Sequence, residues 1–162
     1  MATTDFFLKI PGLDGESQDA TYKNCIDIES WSWGMTQSGS MHISGGGGKG
    51  KVSIHDLSFT KQVDKATPAL MQKCCSGEHL PEATLVCRKA GGDSQVEYLK
   101  IKMQEILVSS YSQSGGGGDT MPLDSFTLNF AKVTEEYTPQ DGGGAAGGGA
   151  VLGWNARENV AI

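Results

Sequence analysis

The chain has 162 residues, enough for one domain with its own apolar core and no need of disulfide staples. Its net charge is −6, and the nearest thing to the basic patch of a nucleic-acid binder is Lys49, Lys51 and His55. No apolar run approaches the ~20 residues of a membrane span, and the first residues lack the basic and apolar regions of a secretory leader. The expectation is a chain folded in the cytoplasm, which needs another route if it leaves the cell.

Strand-like alternation appears in six runs. Phe6, Leu8 and Ile10 share one face of the first. The second holds Ile26 and Ile28, then Trp31, Trp33 and Met35. The third holds Val52 and Ile54, then Leu57 and Phe59. Between the third and fourth lies one helix. Thr67 is placed to cap it, Pro68 suits its first helical position and Gly77 its end. Leu70, Met71, Cys74 and Cys75 form a face expected to pack on the sheet, because a helix this short is marginal alone. The fourth strand holds Leu85 and Cys87, with Val86 opposite. The fifth holds Leu99, Ile101 and Met103, then Ile106 and Val108. The sixth holds Phe126, Leu128 and Phe130, then Val133 and Tyr137.

In four of these runs the apolar phase slips by one residue partway along. A slip moves every later side chain to the opposite face. A β-bulge accommodates it, as does a strand that leaves one sheet for another. Burial of the two strand ends by different neighbours is the alternative that needs no bulge. The pattern predicts a mainly β fold, a curved barrel or two-sheet domain with one short helix.

Most of the 23 glycines cluster at 45–50, 115–118 and 142–149, where no packed element can form. Beyond the last cluster, Trp154 implies that the tail docks, on this subunit or on a neighbour.

Sites of chemistry are weak. The segment GGGGKGK at 45–51 nearly matches a phosphate-binding loop, but Val52 stands where Ser or Thr is needed, and a strand pattern follows instead of a helix. Cys25, Cys74, Cys75 and Cys87 lack zinc spacing and read as reduced, buried small residues. His42, His55 and His79 are not spaced as metal ligands. Glu135 and Glu136 point opposite ways on a strand and read as solvated surface. Trp31 and Trp33 share a face and read as core or subunit interface. No metal, cofactor or catalytic residue is expected.

What remains is interaction. The long segment 38–50 sets Met41, His42 and Ile43 among glycines, and long loops in compact domains usually carry function. Ser40, Met41, His42 and Ile43 are the candidate inter-subunit contact.

The run Trp31-Ser32-Trp33-Gly34-Met35-Thr36-Gln37-Ser38-Gly39-Ser40-Met41-His42 resembles the signature of the hemolysin-coregulated protein (Hcp) family. So do Asp56-Leu57-Ser58-Phe59-Thr60-Lys61, Asp64-Lys65 and Thr67-Pro68. Further on, the matches are Arg88-Lys89-Ala90-Gly91-Gly92, Val96-Glu97-Tyr98-Leu99, Thr127-Leu128-Asn129-Phe130-Ala131 and Gly153-Trp154-Asn155. The blocks keep the family's order and span nearly the whole chain; the tract 142–149 departs from it.

The resemblance implies a single tube domain over 1–162, β-barrel-like with one short helix and similar to phage tail-tube proteins. It implies a subunit of the type VI secretion system, a homohexameric ring with a wide pore whose rings stack into a tube inside a contractile sheath, tipped by a spike. It implies effector proteins as cargo, no nucleic acid and no membrane insertion, and release from the cell on contraction without a signal peptide. A ring-shaped carrier for client proteins is the competing reading, favoured by free rings that protect a client without forming tubes. A hydrolase using a loop serine (Ser38, Ser40 or Ser44) and His42 ranks third, and predicts a serine labelled by fluorophosphonate.

Overall fold

The structure, a computed structural model, describes residues 4–38, 51–91, 94–118, 121–139 and 149–162. Its elements in chain order are β1 (Thr4–Lys9), β2 (Ile26–Ile28), β3 (Ser30–Ser32), β4 (Met35–Thr36), β5 (Ser53–Ile54) and β6 (Leu57–Gln62). They continue as α1 (Thr67–Ser76), β7 (Leu80–Gly91), β8 (Ser94–Ser114), β9 (Leu123–Tyr137), β10 (Ala150–Asn155) and β11 (Val160–Ala161). The expected mainly β architecture with one helix is present.

Nine strands form one antiparallel sheet, and β4–β5 form a separate two-stranded ribbon. One edge of β9 pairs with β8. The other is divided, its N-terminal half taken by β6 and its C-terminal half by β10. The sheet curls back through the run 26–32. β2 pairs with β1, β3 pairs with β6, and the Glu29 N–H bonds to the Thr60 carbonyl at 2.9 Å where the run changes neighbour. The phase slip of the second run lies at this corner: Ile28 faces the core, Glu29 and Ser30 are exposed, and Trp31 turns inward again.

The other slips have two causes. In the third run the chain breaks between β5 and β6, so Ile54 serves the ribbon and Leu57 the barrel. In the fifth and sixth runs the slips are matched across neighbouring strands. Inward facing passes from Met103 to Ile106 on β8 and from Phe130 to Val133 on β9. β7 makes the same change from Leu80 to Ala83. Because Met103↔Val133 and Ile106↔Phe130 remain paired, the strands change face together and the register survives. Glu105 marks the crease with φ 55°. Bulges lie elsewhere, at Cys87/Arg88 and Val108/Ser110.

The core is the concave interior of this curl, built from Leu8, Ile26, Leu57, Phe59, Leu85, Ile101, Met103, Phe126 and Leu128 with their neighbours. Phe59 and Phe126 stack within it at 5.1 Å. Burial also reaches the outer face of β1 and β7, where Phe7 and Val86 are covered. There Phe7 stacks on Tyr22 from the segment that joins β1 to β2.

The helix corrects two expectations. Thr67 is its first residue, not its cap, which makes Pro68 the second; Ala66 occupies the cap position without a side-chain bond. Gly77 ends it as expected, at φ 67° with its N–H on the Lys73 carbonyl. The buried stripe is Thr67, Leu70 and, in part, Cys74, whereas Met71 is 41% exposed and Cys75 is exposed. Spacing of three and four residues defines one narrow face, and Met71 and Cys75 sit one stripe round from it.

A left-handed backbone at a non-glycine residue costs about 1–3 kcal/mol and is worse for β-branched side chains. Glu105 already bears this cost, so Glu105→Val should lower stability by a further ~1 kcal/mol in urea titration, and Glu105→Gly should not lower it.

Candidate functional site

The candidate contact segment is rooted in a hairpin. β3 and β6 continue past the barrel as β4 and β5, with Met35 opposite Ile54 and Thr36 opposite Ser53. The Trp33 indole N–H bonds to the His55 carbonyl at 2.9 Å, and its ring packs edge-on against Phe130 at 6.1 Å. The His55 N–H bonds to the Gly34 carbonyl. The two strands leading to and from residues 39–50 are thus clamped at their base. Ser40, Met41, His42 and Ile43 lie outside the described residues, as do residues 45–50 of the glycine-lysine segment. Lys51 leads into strand β5.

Trp31 and Trp33 both pack on the core, as their shared phase implies. Trp154 answers the question of the tail. β10 adds to the edge of β9, Trp154 lies opposite Val133 and packs on the core, and β11 folds back on β10. This ribbon leaves Val151 (69%), Leu152, Val160 and Ile162 exposed. The sequence reading missed that apolar edge, since a short alternating segment gives no sign of which side lacks cover.

Beneath the helix lies a buried polar cluster. Lys61 follows Leu57 and Phe59 in inward phase, and Asp124 precedes Phe126 in the same phase; the two residues are cross-strand partners. Lys61 Nζ donates to Asp64 Oδ1 at 2.8 Å, Thr67 Oγ1 at 2.9 Å and Asp124 Oδ2 at 3.0 Å. Asp124 Oδ2 also accepts from Thr67 and Tyr111. Burial and the Asp124 carboxylate push the Tyr111 hydroxyl up to about 12. Thr67 gives up capping because its hydroxyl accepts the Asp64 N–H and donates to Asp124. The cluster ties β6, β9, β8 and the start of α1 together.

A second ion pair holds the 11–25 segment. Arg88, 5% exposed, donates to Asp19 Oδ2 at 2.5 Å and Asp5 Oδ2 at 3.3 Å, with its guanidinium 4.8 Å from the Phe7 ring centre. Hydrogen bonding to Arg88 holds the Asp19 carboxyl below its ordinary value. The stability this gives is complete above about pH 4 and is lost as pH falls through the lowered value.

Cys25 and Cys87 are buried, and burial pushes the Cys87 thiol up to about 12, so it stays protonated at neutral pH. The expected burial holds for these two and fails for Cys75. Glu135 also departs from expectation: it is half-buried, in phase with Val133, and burial raises its carboxyl above 4.5. Glu136, on the outer face, is exposed. A shallow groove of about 370 Å³ on that face is lined by side chains of both signs, among them Lys102 and Glu82 paired at 3.3 Å. No group of three or more potential metal ligands occurs among the described residues.

This fold matches those of solved type VI secretion proteins. One described as a type six secretion system protein superposes with TM-score 0.91 at 31% identity, covering 98% of this chain and 99% of that one. Hcp1 from Salmonella typhimurium gives 0.82 at 38% identity over 99% of both chains. Protein hcp1 of Pseudomonas aeruginosa is 56% identical over 157 residues, 96% of this chain and 97% of that protein. The family model "Type VI secretion system effector, Hcp" matches residues 7–137. The chain belongs to the Hcp family of type VI secretion proteins.

Removing one partner of a buried ion pair strands the other charge and costs about 3–5 kcal/mol. Asp124→Ala should lower unfolding free energy by that order in denaturant titration. Glu135→Gln should behave oppositely. A raised carboxyl opposes folding at neutral pH and stops doing so as pH falls through its folded value toward 4.5. The variant's Tm should exceed that of the parent at pH 7, and the gap should shrink on acidification.

Proposed function

We propose that this chain, as one tube domain over residues 1–162, is the ring-forming subunit of a type VI secretion inner tube. Six copies close head-to-tail into a ring, and the rings stack inside a contractile sheath behind a spike. The tube carries effector proteins in its passage and leaves the cytoplasm when the sheath contracts. Its work is mechanical, with no enzyme activity and no cofactor.

The observation that carries this reading is the clamped hairpin root. Trp33, held by His55 and Phe130, fixes the strand pair that the segment holding Ser40, Met41, His42 and Ile43 connects. A segment that leaves a fixed root and carries the apolar residues Met41 and Ile43 suits a heterologous contact, which closes into a ring when repeated about an axis. The exposed apolar side chains of β10 and β11 offer a receiving surface, and covering an open strand edge removes a template for stray pairing. Each contact is expected to bury about 1,600 Å² or more. Six copies at −6 carry 6 × −6 = −36, so stacking depends on complementary charge placement or on salt.

Met41→Asp combined with Ile43→Asp tests the arm. The far-UV circular dichroism should be unchanged while light scattering falls from the ring to the 17.1 kDa protomer. Rings that persist would remove the arm from the interface.

A further inference from the structure

Strand pairing lines up one row across the inward face of the sheet: Ile26 on β2, Leu8 on β1, Leu85 on β7, Ile101 on β8, Glu135 on β9 and Leu152 on β10. Ile26, Leu8, Leu85 and Ile101 are wholly buried. Glu135 is the one polar member of the row. In the flanking rows its neighbours are Val133 and Trp154 on one side and Leu99 and Tyr137 on the other.

Nothing on the packed elements balances this carboxylate. Lys100 and Lys102 of β8 belong to the outer face with Glu136, where they pair with Glu97 at 3.4 Å and Glu82 at 3.3 Å. Lys89 of β7 lies over the Tyr98 ring. Lys61 and Asp124 are engaged with each other at the far end of β9. β10 and β11 carry no charged side chain, and Ile162 folds back over Gly153, which alternates with Leu152 and so belongs to the outer face. The titratable groups that share the interior, Cys87 and Tyr98, are both raised by burial and stay neutral at neutral pH. The Tyr137 phenol follows Glu135 in the same phase. The Trp154 indole N–H is buried without an acceptor, so it does not serve the carboxylate. Burial alone accounts for the raised Glu135 carboxyl.

Cover is missing on one side only. Leu152 and Tyr137, which flank Glu135, are 40% and 48% exposed. β11 continues the sheet beside Trp154 and Asn155, and among the described residues no strand lies beyond Ala150–Leu152.

We propose that the next copy in the ring covers Glu135, and that the carboxyl enters this contact protonated, so that each ring contact takes up a proton. The proposal rests on the ring reading and adds to it one contact residue and the sign of its pH dependence. A second copy is the occupant because the patch is continuous with the exposed apolar side chains of β10 and β11 that receive the neighbour in that reading. An ionised carboxylate without a cation opposes being dried, whereas the neutral acid needs only an acceptor for its O–H, which a backbone carbonyl supplies. Covering by a neighbour raises the carboxyl further. Below the protomer's value both states hold the proton, and the contact is at full strength. Above the ring's value neither does, and drying the anion opposes the contact in full. Between the two, association weakens by up to about tenfold per pH unit for each contact.

The test follows exchange of subunits between rings of the full-length protein. Cys74→Ser leaves the exposed Cys75 as the labelling position, and rings carrying donor and acceptor dyes are mixed. Urea below the unfolding transition is raised until the parent exchanges within hours at about pH 8. Exchange in the parent should slow by about tenfold or more between about pH 8 and about pH 5.5. Glu135→Gln should be slow at both, with less than about threefold difference. Glu136→Gln makes the same change of charge one residue away on the outer face, and should keep the parent's response, as should His42→Gln, which removes the histidine of the candidate arm. A full parental response in Glu135→Gln overturns the inference and leaves the ring reading standing. So does faster exchange of Glu135→Gln at about pH 8, the result expected if the neighbour brings a cation to this carboxylate. Failure of the parent to form rings at any concentration overturns both.

Discussion

The fold depends on one run of chain serving two neighbours. Residues 26–32 pair with β1 through β2 and with β6 through β3, and the Glu29 N–H bonds to Thr60 where the change is made. Without that switch, β1 and β6 would be open edges and the interior of the curl would lie in water. With it, the inward faces of β1, β2, β6, β7, β8 and β9 share a core. The switch also sets the heading of the hairpin, because β3 passes directly through Trp33 into β4.

Much of this was legible in the sequence, for a definite reason. Burial on one face imposes a period of two, and departures from it are visible residue by residue. The slips at Ile28–Trp31, Ile54–Leu57, Met103–Ile106 and Phe130–Val133 all mark real structural changes. Their causes differ and are not local: a change of partner, a chain break, and a crease shared by three strands. A single strand cannot reveal that its neighbour slips at the same level. The helix shows the same limit. Pro68 and Gly77 fix its extent locally, but its buried stripe depends on how it sits against β8, and Met71 and Cys75 fall outside that stripe. Lys61 and Asp124 each carry the inward phase, yet only the pairing of β6 with β9 makes them partners. The arm was legible as a long glycine-rich segment, and its root became definable only through Trp33, His55 and Phe130.

The two buried cations do unlike jobs. Lys61 donates to two carboxylates and the Thr67 hydroxyl and joins the helix entrance to the barrel. Arg88 lies over the rings of Phe7 and Tyr22 and fastens a long connection over the outer face. In each case the burial of a charge is offset by several directed hydrogen bonds, and the gain is positional: an irregular segment is held at one place on a regular sheet.

The β8–β9 ladder carries a mechanical consequence. It runs from Leu99 opposite Tyr137 to Ser114 opposite Leu123, with one bulge and one crease on the way. When two long antiparallel strands are pulled along their axes in opposite directions, the transverse backbone hydrogen bonds share the load. Peeling from one end would break them one at a time. The two longest strands of the domain are laid out to bear, in shear, a load applied along their length.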